Sequence, residues 1–264
     1  MSNNSFSQDF TNPRVKKLST FSQSVFGIEA ATYKGIAMKT LFFVAIFGAG
    51  MGAYFYIHNF LGGGATIYPL ESGVLFGAMI ATLISGIVAS LAPRTTAVTG
   101  TIYSAGMGYS ITLLSMMYAQ AYKGIVIEAL VLTLLTVGVL AVLYAKGNIH
   151  VGQRFRTALI AWLWVSIIGG LLFAILSFAA PNSALYRSIV IANNGPIGIV
   201  IAAIGVFVAA ALLICDFETI RLTVEHGLPA YYEWYASYGL IVGVIYLYLK
   251  ILDLLVKIAN NRRN

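Results

Sequence analysis

Charge is what this sequence has least of. Asp, Glu, Lys and Arg make up 9% of its 264 residues, whereas a water-soluble domain carries about 25%; water is therefore not the main solvent of the fold. Cysteine is nearly missing as well. Cys215 is the single one, which excludes an internal disulfide and any multi-cysteine metal site. The three histidines, His58, His150 and His226, fall between the apolar runs and lack a metal-ligand spacing such as H-E-x-x-H. No G-x-S-x-G nucleophile elbow occurs. With no stretch left over for a soluble catalytic domain, the chain reads as a non-enzyme, an intramembrane protease included, and calls for no cofactor.

What is present in quantity is apolar: 59% of the residues. Seven runs, at residues 36–57, 73–91, 100–121, 125–145, 158–178, 197–217 and 235–256, are each long enough to cross a hydrocarbon core of ~30 Å at ~1.5 Å rise per residue. A transmembrane barrel needs strands of alternating polarity, and these runs are continuously apolar. Only helices satisfy their own backbone inside lipid in such segments. The expected fold is all-α, a polytopic seven-transmembrane-helix bundle. A polar tail covers residues 1–35, the membrane domain 36–257, and a short basic tail 258–264. The first tail lacks the pattern of a signal peptide and carries a surface helix around residues 21–33. Short loops join the spans.

A formal charge of +7 raises nucleic acid as a partner, but in a membrane protein basic residues report orientation. With the amino terminus cytoplasmic, inner segments hold Arg14, Lys16, Lys17, Lys34, Arg94, Lys146, Arg154, Arg156 and Arg221. Outer segments hold Lys123, Arg187, Lys257, Arg262 and Arg263, so the balance is nine against five. The reading is a multi-pass protein of the inner (plasma) membrane, N-terminus cytoplasmic, with the lipid bilayer as partner and no nucleic acid.

Small residues four apart, Gly48 and Gly52, Gly77 and Ala81, Gly239 and Gly243, let helix backbones approach in lipid. Gly62, Gly63 and Gly64 form a turn. Tyr231, Tyr232, Trp234, Tyr235 and Tyr238 form an aromatic belt at the start of the seventh span. Charges inside spans are costly and therefore the first functional suspects. Lys39 and Glu128 lie near span ends, within reach of the interface. Lys250 and Asp253 stand three apart on one helix face, where a local ion pair is the plain structural reading. Asp216 ends the apolar stretch Leu212-Leu213-Ile214-Cys215-Asp216-Phe217, and Glu218, Arg221 and Glu225 follow at helical spacing, so this helix continues past the membrane surface. Desolvation and a basic partner shift an acid's pKa in opposite senses, which suits Asp216 to proton sensing; an interfacial acid facing water is the plain alternative. Placing helices six and seven side by side from a turn near Leu228 sets Lys250 about ten residues, or ~15 Å, beyond Asp216. Arg94 and Lys146 are then basic partners at the right depth. A lysine in the last span also suggests a retinal protein, but the third span has no acid for a counterion.

Taken in order, several stretches resemble the Bax inhibitor-one (transmembrane Bax inhibitor motif) family in its prokaryotic YccA-like branch: Ala31-Thr32-Tyr33 with Lys39-Thr40, Tyr103 with Gly108, and Tyr122-Lys123-Gly124-Ile125-Val126. The most specific are Asp216-Phe217-Glu218-Thr219-Ile220, Gly227-Leu228-Pro229, Glu233-Trp234-Tyr235 and Leu247-Tyr248-Leu249. The resemblance implies seven helices with the last one central, and a pH-sensitive calcium leak channel gated by acids on helices six and seven. Asp216 matches the first of these. Lys250 stands where the second is expected, with Asp253 one turn on, and Met107 stands where a third-span Glu is common. The pH-sensing and gating candidates are thus Asp216, Lys250, Asp253 and Arg94, with calcium or protons as the ions. The alternative is a non-conducting membrane modulator that binds partner proteins such as a membrane protease.

Overall fold

The computed structural model describes residues 29–61, 69–147 and 152–262. Most of the amino-terminal tail with its expected surface helix, the triple-glycine turn and His150 lie outside these residues. The helices are α1 (Tyr33–Tyr56, continued by a π-helical turn Ile57–Leu61), α2 (Pro69–Leu91), α3 (Thr96–Ala121, after a 3-10 turn Pro93–Thr95), α4 (Ile125–Ala145), α5 (Gln153–Ala179), α6 (Ala184–Asn194), α7 (Pro196–Glu225) and α8 (Tyr231–Asn261). Among the described residues no strand occurs, only an isolated antiparallel bridge between Ala30 and Pro229. The chain is an all-α, multi-pass membrane protein.

Local chemistry sets the helix ends. Thr32 caps α1 by accepting the Gly35 N–H at 3.0 Å, and Ser183 caps α6 by accepting the Tyr186 N–H at 3.2 Å. Pro196 opens α7, where its missing N–H costs nothing. Gly227, at φ 60°, ends α7 with a backbone that a side chain would strain. Within the helices, hydroxyls that would be stranded in lipid donate to their own previous turn, as Thr101 does to Ala97 O and Thr133 to Ala129 O.

Among the described residues, six helices are long and apolar enough to span a bilayer: those beginning at Tyr33, Gly73, Ile125, Phe155, Pro196 and Tyr231. Large side chains on them stay exposed, among them Leu134 at 60% and Val165 at 67%. Water does not tolerate that much open apolar surface, but acyl chains do. The third expected run falls in α3, which is long enough at 26 residues but not among these six. Its Thr96, Ser104, Thr112 and Ser115 dilute its apolarity, and all four are buried in the protein.

Two expectations about connections are corrected. The link between the fifth and sixth runs is not a short loop, since it folds as α6, whose 11 residues are too few to span. The last helix is also longer than its apolar run and carries Lys257 inside it rather than at its margin.

The chain divides into two compact units. The first comprises residues 1–113 and 219–241. Here a Cβ on Gly50 would collide with the backbone of Ala105, one on Gly108 with that of Phe47, and one on Gly106 with the Thr82 hydroxyl. These glycines therefore let α1, α2 and α3 meet backbone to backbone. By contrast, nothing stands within 4 Å of a Cβ added at Gly48, Gly52 or Gly77, so the packing glycines of this unit are not these three, which the four-residue spacing picks out. The second unit comprises residues 114–218 and 242–264. Leu159, Val208, Ala211 and Cys215 form a buried cluster in it, with Leu212 packed against them.

Candidate functional site

Asp216 lies inside α7, nine residues before its end, because the helix runs on through Glu218, Arg221 and Glu225 as the helical spacing of those charges suggests. Its carboxylate rests on α8 at Gly243: a Cβ there would collide with Asp216 Oδ2 and lie 3.2 Å from Leu213 Cδ1. The basic charge acting on it is that of Arg156, in the first turns of α5. Two residues on, Glu218 accepts a short hydrogen bond from the Tyr144 hydroxyl at the end of α4, and the Tyr144 and Phe217 rings lie 5.8 Å apart. Cys215 is buried and feels the charges of Asp216, Arg156 and Glu218.

Further along the same pair of helices, Lys250 lies against α7 at Gly205, where a Cβ would be 3.3 Å from its Cδ. Its Nζ is 5.3 Å from the centroid of the Tyr246 ring, a cation–π distance. Asp253 does not take Lys250 as its salt-bridge partner. It pairs with Lys257 at 3.2 Å, and Lys257, 8% exposed, also donates to Asn193 Oδ1 of α6 at 2.8 Å. The reason is reach: the i,i+4 spacing is taken up by Lys257, while the Lys250 stem is drawn into the space left by Gly205. Nearby, the Ser115 and Tyr248 hydroxyls share a 2.8 Å hydrogen bond.

In the first unit, Arg94 stacks over the Tyr231 ring at 5.4 Å; in the second, Lys146 follows the end of α4. Arg156 is the basic group the linear reading passed over, because its partner lies 60 positions away in the chain. Glu128 sits exposed in the first turn of α4, a favourable place for an acid at the positive end of a helix.

Lys39 does more than reach the interface. Its ammonium makes a short salt bridge to Glu233 Oε2 and a 3.5 Å contact to Ala230 O, and it lies 5.2 Å from the Trp234 ring. Glu233 Oε1 accepts from the Thr32 N–H at 2.7 Å and the Thr32 hydroxyl at 3.1 Å. A Cβ at Gly35 would occupy this carboxylate's place. Ser237 donates to Ile36 O at 2.8 Å, and Ala31 N donates to Leu228 O at 2.8 Å. A polar clasp therefore ties the chain around the start of α1 to the start of α8. The belt residues have packing roles too: Trp234 meets Phe42 and Phe43 edge-on at 5.5 Å, and Tyr238 donates to Gly86 O.

Among the described residues no three His, Cys, Asp or Glu side chains come together as a metal cluster. Asp216, acted on by Arg156, and Glu233, bridged to Lys39, are single acids set against single bases, an arrangement that can place charge and hold a proton. A sequence model described as Bax inhibitor 1 like matches residues 2–260. No curated protein and no solved structure matches the chain.

Proposed function

Because the chain belongs to the Bax inhibitor 1-like family, we propose that it is a pH-sensitive ion leak, passing calcium, whose gate is the Asp216 region of α7 and α8. The observation that carries this reading is the place of Asp216: an ionisable group within an apolar helix, resting on the backbone of the next helix and acted on by Arg156. A carboxyl so placed changes its charge inside the helix pair, and a charge change there alters what the pair tolerates as a neighbour. Asp253 and Lys250 are assigned supporting electrostatic roles. Reconstitution into liposomes with calcium flux followed across pH tests the reading. The expected result is a pH-dependent flux that becomes flat in Asp216→Asn; an unchanged pH response in that variant would reduce Asp216 to a structural acid.

The second reading is a non-conducting modulator that binds membrane proteins such as a protease. Lys250 favours it, because a cation stands in the helix where the resemblance places an acid. Both readings place the protein in the inner (plasma) membrane with the amino terminus cytoplasmic. A cysteine introduced at Asn264 in a Cys215→Ser background is then labelled by a membrane-impermeant maleimide from outside intact cells. Protection at Asn264 together with labelling of Ser2→Cys would reverse the orientation.

A further inference from the structure

Two charged side chains of the α7–α8 pair each meet a glycine of the opposite helix. Asp216 of α7 rests on Gly243 of α8, and Lys250 of α8 lies against Gly205 of α7. The two contacts differ in tightness. At Gly205 a methyl group would stand 3.3 Å from the flexible middle of a lysine chain, which can swing aside. At Gly243 a methyl group would collide with the carboxylate oxygen itself and press on Leu213. An Asp side chain has only two torsions, and Leu213, fully buried, lies 3.2 Å from the same methyl position. To reach ordinary contact the carboxylate would have to move by about 1 Å.

We infer that Gly243 is a positioning residue for Asp216: the missing side chain at 243 fixes where the carboxyl sits between α7 and α8, and so fixes the pH at which it exchanges its proton. The inference rests on the proposed pH-sensing reading for its physiological meaning, but not for its test. The groups facing Asp216 are few. Arg156 contributes a positive charge from α5, and Cys215 and Glu218 flank it on α7, with Glu218 held by Tyr144 of α4. On α8 the contact is with the Gly243 backbone. Lys250 meets α7 at Gly205, 11 residues or ~16 Å along that helix from Asp216. A displaced carboxyl therefore changes its distance to one dominant charge and its depth against one backbone.

The test follows the infrared carbonyl band of the protonated Asp216 carboxyl against pH, the band being identified by its loss in Asp216→Asn. Gly243→Ala is expected to move the midpoint of this band by about one pH unit, a tenfold change in proton affinity, while Gly205→Ala leaves it in place. If Gly243→Ala does not yield folded protein, Asp216→Glu serves instead. Its carboxyl is one methylene longer and must leave the same seat, so its midpoint should differ from that of Asp216 by more than the small intrinsic difference between the two acids. Equal midpoints for wild type and Gly243→Ala, or for Gly205→Ala and Gly243→Ala, would overturn the inference. Failure of the two ideas is distinguishable. A moved band with a pH response of flux that ignores Asp216→Asn discards the gating reading alone, and an unmoved band with flattened flux in Asp216→Asn discards the glycine alone.

Discussion

Glu233→Ala should lower the unfolding stability of the detergent-solubilised protein by about 3–5 kcal/mol, the range for removing one partner of a buried ion pair. The Glu233 side chain is 7% exposed and that of Lys39 20%, so little water is at hand to replace the carboxylate. The loss would leave the Lys39 ammonium with a single carbonyl, Ala230 O, at 3.5 Å and would release the Thr32 N–H and hydroxyl. Lys39→Met should be costly too, since it strands the carboxylate. The double variant should lose less than the two singles added together, because each single already breaks the same contact. Thermal unfolding midpoints of the four proteins decide this. A Glu233→Ala protein within about 1 kcal/mol of wild type would place the pair among solvent-screened surface bridges.

Lys250→Glu should raise calcium flux at least several-fold on the leak reading. At ~8 Å and an effective dielectric constant of about 20, one unit charge changes the energy of a divalent ion by roughly 4 kcal/mol. Reversing the sign roughly doubles that difference, and a tenfold effect needs only ~1.4 kcal/mol. Asp253 is already engaged by Lys257, so its charge is shared with a nearer cation. Wild type should accordingly pass calcium slowly. Equal flux through wild type and Lys250→Glu in liposomes, with both eluting as folded protein, would remove Lys250 from the ion path and strengthen the modulator reading.

How far each of these features can be read along the chain depends on the range of the physics involved. Spanning is local: a run such as 125–145 is judged against the thickness of a bilayer residue by residue, and α4 begins and ends where that run does. The continuation of α7 beyond Asp216 was legible for the same reason, from charges at helical spacing on one segment. Local polarity marked the run 100–121 where α3 forms, although its hydroxyls leave it outside the six most apolar helices; it failed at α6, an 11-residue helix too short and too mixed to stand out from a loop.

What the sequence by itself determined is the all-helical membrane class, the bounds of most spans, the family and the choice of Asp216 and Lys250 as the residues to watch. What only the tertiary structure decided is who meets whom. Lys39 and Glu233 are 194 positions apart, and both stretches were marked by the resemblance, yet nothing in either one names the other. The same holds for Asp216 and Arg156, and for Lys257 and Asn193, 64 positions apart. Glycines show the difference most plainly. Spacing picks out Gly48 and Gly52, which face open space, and equally Gly243, which receives a carboxylate from another helix, while it passes over Gly50 and Gly108, which receive a backbone. A helix tells its own residues which of them share a face, but the side chain a glycine makes room for belongs to another helix, and that pairing exists only once the chain has packed.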